Sequence, residues 1–136
     1  MSVLSRLKRY LRAPATASLP PPPPAGQIRV HFLAGDFDTA AEAEAYCFDS
    51  EGDAPEQITR DQPGAFIDTI FVEPVFGDIR TRLETILPAK TAARLFAKAK
   101  GANTLIVITE EAFGGMAYAL EDTDRLRYLG PVLVDA

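Results

Sequence analysis

Period-two alternation opens the folded part of the chain. In "QIRVHFLA", residues 27–34, Ile28, Val30, Phe32 and Ala34 fall on one side, and Arg29, His31 and Leu33 on the other. That pattern predicts a strand. After the turn "GDFD" the period lengthens. "TAAEAEAYCF" carries a capping-box pair, Thr39 and Glu42, ahead of an apolar stripe of Ala40, Ala43, Tyr46 and Cys47, which predicts a helix. Residues 49–64 are polar and rich in turn formers, and read as a loop. "FIDTIFVEP", 66–74, reads as a second strand. Ile79, Leu83, Ile86 and Leu87 share one helical face up to Pro88, and Ala92, Leu95, Phe96 and Ala99 share another up to Gly101. "NTLIVITE" is nearly all apolar from Leu105 to Ile108, as in a strand covered on both sides. "FGGMAYALE" and "LRYLGPVLVD" read as two more strands in a meander. The predicted order is β-α-β-α-α-β-β-β. The fold class is α+β, a single mixed, largely antiparallel sheet with helices packed against it.

Ahead of this domain, assigned to residues 27–136, the pattern changes twice. Residues 13–26 hold five consecutive prolines and predict a semi-rigid polyproline II linker. Residues 1–12 place Val3, Leu4, Leu7 and Leu11 near helical spacing, with Arg6, Lys8, Arg9 and Arg12 mainly on the other side. They predict a basic amphipathic helix or a solvated tail. Its expected contact is a partner or, weakly and peripherally, an anionic membrane surface.

Charge sharpens the division. Residues 1–26 contain four cations and no acid. The remaining 10 basic residues face all 19 acidic ones, a net of −9 over 27–136. An acidic body disfavours direct binding of nucleic acid and favours basic partners. Cys47 is the only cysteine, and no apolar run approaches the ~18 residues of a membrane span. Both suit a cytoplasmic protein, with the inner face of the membrane as an alternative location if the tail anchors it.

Candidate chemistry is sparse. His31 is the only histidine, and no serine or cysteine motif accompanies it. Cys47 lies on an apolar stripe and reads as a small core residue. "DSEGD" offers Asp49, Glu51 and Asp53 at alternate positions, without the glycine and glutamate pattern of a calcium loop. "EEAFGGM" has no phosphate-loop lysine. No catalytic set, cofactor or metal site is predicted. The carboxylates of 66–74 raise a question. On a regular strand Asp68 would point with Phe66, Ile70 and Val72, and Glu73 with Ile67, Thr69 and Phe71, so the two form no acid/base couple.

Four stretches together resemble the immunity protein 22 family of bacterial polymorphic toxin systems: "VHFLAGDFDTAAEAEAY", "DTIFVE", "GANTLIVIT" and "LRYLGPV", spanning about 27–134. The chain departs from that pattern at Thr69 and Ile70, where a second acid is frequent, and at Pro131 and Val132. The resemblance implies a non-enzymatic bacterial protein that neutralises a cognate toxin domain by direct binding. The implied partner is a basic toxin domain, such as a nuclease. Asp36, Asp38, Asp68 and Glu73 are the candidate partner-binding residues. The alternative is a membrane-apposed adaptor or structural protein tethered through residues 1–12. A third reading is a small enzyme centred on His31.

Overall fold

The computed structural model describes residues 16–136. The expected basic helix over 1–12, with Arg6, Lys8, Arg9 and Arg12, lies outside the described residues. Four strands, β1 (Gln27–Gly35), β2 (Val72–Phe76), β3 (Thr104–Thr109) and β4 (Leu126–Asp135), form one sheet in the order β2-β3-β1-β4. Every pairing is antiparallel. The helices are α1 (Ala40–Phe48), α2 (Gln57–Asp61), α3 (Ile79–Ile86) and α4 (Ala89–Lys98). Two 3-10 turns, Thr69–Phe71 and Glu110–Phe113, complete the set. The fold is α+β.

The alternation in β1 sorts the core into two layers. Val30, Phe32 and Ala34 face α3 and α4, meeting Ile79, Leu83, Leu87, Ala92, Leu95 and Ala99. Leu33 faces the other way, with Phe37, Tyr46, Cys47, Ile58, Phe113 and Tyr118. β3 lies inside the sheet and is buried on both sides, with Leu105 and Val107 toward the helical pair and Ile106 and Ile108 toward the opposite layer. Pro88 separates α3 from α4, as expected. The Glu42 N–H donates to Thr39 Oγ1 at 3.1 Å, which caps α1.

Both edge strands carry a proline, Pro74 in β2 and Pro131 in β4. Proline is tolerated there because an edge strand has N–H groups with no ladder partner. β4 also slips register against β1: Phe32 faces Gly130, and Leu33 faces Tyr128. The bulge reverses the alternation. Leu126 and Tyr128 point to one layer, whereas Leu129, Val132 and Val134 point to the other. Gly130, at φ 109°, accommodates the bend.

Three expectations need correction. The stretch 113–121 is not a strand of the sheet. Gly114 and Gly115, at φ 63° and 77°, turn the chain away after Phe113. Tyr118 pairs instead with Ser18, through two backbone hydrogen bonds of 3.0 Å, and the Ala119 N–H donates to Gly64 O. The sheet therefore has four strands and no parallel pair. The second strand begins at Val72 rather than Phe66, because Thr69–Phe71 form a 3-10 turn. The polar loop 49–64 contains the short helix α2, held by Ile58, which is fully buried.

Residues 16–26 lie along the body. Besides the Ser18–Tyr118 pair, Arg29 Nη2 donates to Pro21 O at 2.7 Å, and the Ala136 N–H donates to Gly26 O at 2.8 Å.

Candidate functional site

The stretch 66–71 is the least strand-like part of the apolar sequence it belongs to, and Asp68 is the reason. Its Oδ1 accepts from the Ile70 N–H at 3.2 Å, its carbonyl accepts from the Phe71 N–H, and its own N–H donates to Ala112 O at 2.8 Å. The carboxylate thus caps a turn. The turn lies beside the second one, Glu110–Phe113. Its geometry leaves apolar side chains in water: Ile70 is 77% exposed, Phe66 54%, Met116 49% and Phe71 39%. Phe66 and Met116 converge over Gly114, where a β-carbon would sit 3.6 Å from the Phe66 ring and 3.8 Å from the Met116 methyl.

The two stretches that form this face are acidic in sequence, although Asp78, Asp122 and Asp124 lie at the opposite, Thr104 end of the sheet. Residues 61–79 contain Asp61, Asp68, Glu73 and Asp78, and residues 101–124 contain Glu110, Glu111, Glu121, Asp122 and Asp124; neither stretch contains a lysine or an arginine. The cations that approach come from elsewhere. Arg82 makes a two-point ion pair with Glu73, at 2.9 and 3.0 Å. Arg29 reaches Glu110 at 2.7 Å.

Beneath the turns lies a chain of buried polar groups. Tyr118 donates to Glu110 Oε1 at 2.9 Å, so its oxygen is free to accept from His31 Nε2 at 3.0 Å. That leaves His31 Nδ1 as the acceptor for the Tyr128 hydroxyl at 2.8 Å. The directions require a neutral imidazole with its proton on Nε2. Burial pushes the His31 pKa down to about 4, only partly offset by the Glu110 carboxylate. Burial and the Glu110 hydrogen bond raise the Tyr118 hydroxyl pKa, and burial pushes Tyr128 up to about 12. Phe113 stacks on Tyr118 at 3.9 Å between centroids and meets His31 edge-on at 5.2 Å. Through Arg29 the chain of groups ends on Pro21. A second buried pairing, Gln62 with the backbone of Glu121, closes the same layer in both directions, at 2.8 and 2.9 Å.

His31, at 1% exposure, is a structural group that orients two tyrosines. Cys47 is fully buried, and burial pushes its thiol up to about 12, so it stays protonated. Among the described residues no group of three or more His, Cys, Asp or Glu could hold a metal ion, and no helix is long and apolar enough to cross a membrane.

The four predicted contact residues do not form one cluster. Asp36 and Asp38 follow β1 at the Thr104 end of β3, whereas Asp68 sits beyond the Ile108 end, about 14 Å of strand away. Asp36 accepts from the Asn103 N–H at 3.1 Å, and the Asp38 N–H donates to Glu42. Glu73 is held by Arg82. Of the four, only Asp68 borders the exposed apolar face. Sequence reasoning missed Ile70 and Phe66 as surface groups, because a strand reading assigned them to a core face. It also missed the partners of His31, although Arg29 and His31 stand two apart on one strand and share a side. Comparison with protein-family models, characterised proteins and solved structures returns no match to this chain.

Proposed function

We propose that this protein is an immunity-type binding module that neutralises a cognate toxin domain by direct protein–protein contact. The observation that carries the reading is the exposed apolar face of Phe66, Ile70, Phe71 and Met116, formed by two stretches that contain acids but no lysine or arginine. Exposed aromatic and aliphatic anchors within polar surroundings are what a protein interface needs at its centre. The acidic frame selects a basic partner and speeds its approach. Asp68 contributes twice, by shaping the turn and by setting charge beside Ile70. The resemblance to immunity proteins supports the same reading, with a basic toxin domain such as a nuclease as the partner and the cytoplasm as the place of contact. No catalytic step is assigned to the chain.

Co-expression with a toxin encoded beside this gene tests the proposal. The intact chain restores growth, and Ile70→Asp abolishes rescue while leaving the fold intact. Rescue by Ile70→Asp equal to that of the intact chain would remove this face from the interface. Absence of any neighbouring toxin, with no rescue, would remove the function.

A further inference from the structure

The two edges of the sheet are guarded unequally. β2 is short, has Pro74 at its middle, and Arg82 folds over its Glu73. Short length, proline and charge are the usual protections of an edge. β4 is longer, and three observations fix which of its backbone groups point outward. The Tyr128 N–H donates to Asp122 Oδ1 at 2.8 Å, so it faces away from β1. Pro131, opposite His31, has no N–H to give. The Ala136 N–H donates to Gly26 O at 2.8 Å, on the β1 side. Alternate residues of a strand address opposite neighbours. Val134 and Val132 therefore bond toward β1, and Asp135, Leu133 and Pro131 turn outward. The bulge between Phe32 and Leu33 then turns Tyr128 outward as well. Asp122 closes the Tyr128 end, and Pro131 offers only an acceptor. The Leu133 N–H and C=O and the Asp135 N–H have no ladder partner among the described residues.

The side chains of this open half are apolar on both faces of the sheet. Leu133 is 42% exposed. Val132, Val134 and Ile28, which pairs with Val134, are only partly buried at the margin of the α3–α4 layer. A second β4 laid antiparallel, with its two-fold axis at Leu133, matches this edge to itself. Each Leu133 N–H would donate to the other copy's Leu133 C=O, and each Asp135 N–H to the other copy's Pro131 C=O. None of these bonds needs the proline nitrogen. Val132 would face the other copy's Val134 on the helical side, and the two Leu133 side chains would meet on the opposite side. An axis at Pro131 would set two residues without N–H against each other. An axis at Val134 would set Leu133 against Asp135.

We infer that the Pro131–Asp135 half of β4 is a homodimerisation edge, which joins the sheets of two copies through an antiparallel pairing centred on Leu133. The same surface meets itself across a two-fold axis, so the assembly closes at two copies and does not extend into a filament. The pairing is short and buries less than a standard stable interface, so its dissociation constant is on the order of 0.1 mM. The chain's net charge of −5 opposes association, and at about 0.15 M salt that repulsion is screened beyond ~8 Å. The pairing is independent of the proposed toxin contact, because β4 and the Ile70 turn, which leads into β2, lie at opposite edges of the sheet.

Sedimentation equilibrium on the full chain, from about 10 μM to about 1 mM, tests this. The chain should be mainly monomer at the low end and mainly dimer at the high end. Leu133→Lys places like charges across the axis and should weaken association roughly tenfold, with an unchanged urea midpoint because the side chain is exposed. Crosslinking reads the register. Residues opposite one another in a hydrogen-bonded pair lie about 5.5 Å apart at Cα, within disulfide range. The native Cys47 is buried, so an introduced surface cysteine is the accessible thiol. Leu133→Cys should oxidise to a covalent dimer several-fold faster than Met116→Cys, made at a residue of similar exposure. A chain that stays monomeric at about 1 mM would overturn the inference. Association unchanged by Leu133→Lys, or equal crosslinking of the two cysteine variants, would do the same. Growth rescue against a toxin reads the proposed function separately, because Leu133→Lys leaves the Ile70 face untouched.

Discussion

The two layers that cover the sheet are built differently. On one side, α3 and α4 lay contiguous apolar stripes on Val30, Phe32, Leu105 and Val107. On the other side, α1, α2 and two 3-10 turns cover the sheet in pieces. That layer includes the buried polar residues His31 and Gln62, each bonded to groups far away in sequence. Regular helices can seal a sheet with apolar contacts alone because their backbone groups are satisfied internally. Irregular coverage leaves polar backbone and side chains inside, and these persist only when each finds a partner. Among the described residues no buried side-chain nitrogen or oxygen lacks one. The irregular layer is also where apolar groups remain exposed. One side of the molecule is sealed by two regular helices, and the other leaves Phe66, Ile70, Phe71 and Met116 in water.

Truncation on the helical side should have the largest effect on stability. Leu83 is fully buried between α3 and the sheet. Leu83→Ala should cost about 2–5 kcal/mol, read as a lower urea midpoint, with toxin rescue retained wherever the variant is still folded.

Acid should act on the opposite layer. His31 has a folded pKa of about 4 against an ordinary 6.5, so between those values the unfolded chain binds a proton that the folded chain does not. Stability from this group is complete above pH 6.5 and is lost as pH falls toward 4, by roughly 3 kcal/mol at most. Urea midpoints across that window should fall, and the slope should survive in Leu83→Ala, which touches only the helical layer. A flat profile would refute the neutral, buried His31.

Tyr128→Phe comes next. It removes the only hydroxyl that donates to His31 Nδ1 and leaves a buried acceptor unpaired. The expected loss is about 1–3 kcal/mol. Because the ring remains, a loss near zero would mean that water replaces the hydroxyl.

Ile70→Asp should be the smallest in stability and the sharpest in function. Ile70 is 77% exposed, so the midpoint should stay within about 0.5 kcal/mol of the parent, while toxin rescue disappears. A large loss of stability would show that the turn relies on Ile70 for packing and would merge the two roles that the layers otherwise separate.

Much of the helical side was legible. The spacing of Ile79, Leu83 and Leu87, then of Ala92, Leu95 and Ala99, reports one buried face each, and Pro88 reports the break. Alternation in β1 and the unbroken apolar run of β3 report a half-polar and a fully buried strand. The contact candidates were less legible. Asp36 and Glu73 looked like free surface charge, yet Asn103 and Arg82 engage them. Asn103, 67 residues away, comes into reach through the β1–β3 pairing, and Arg82, 9 residues away, through the fold-back of α3 beside β2.

What the residues determined by themselves was local: helix periods, the cap at Thr39, the proline-rich composition of 13–26, and the opposite charges of tail and body. These depend on neighbours within a few positions, where backbone geometry and amphipathic spacing act directly. Only the tertiary structure decided that 113–121 leaves the sheet, that Tyr118 joins Ser18, and that His31 lies between two tyrosines 87 and 97 residues downstream. It also decided that Asp68 caps a turn instead of lining a strand. An apolar run with strand propensity becomes a strand only where an open edge stands beside it. Here Ala112 accepts from the Asp68 N–H, and Asp68 in turn accepts from Ile70 and Phe71, which leaves Ile70 in water.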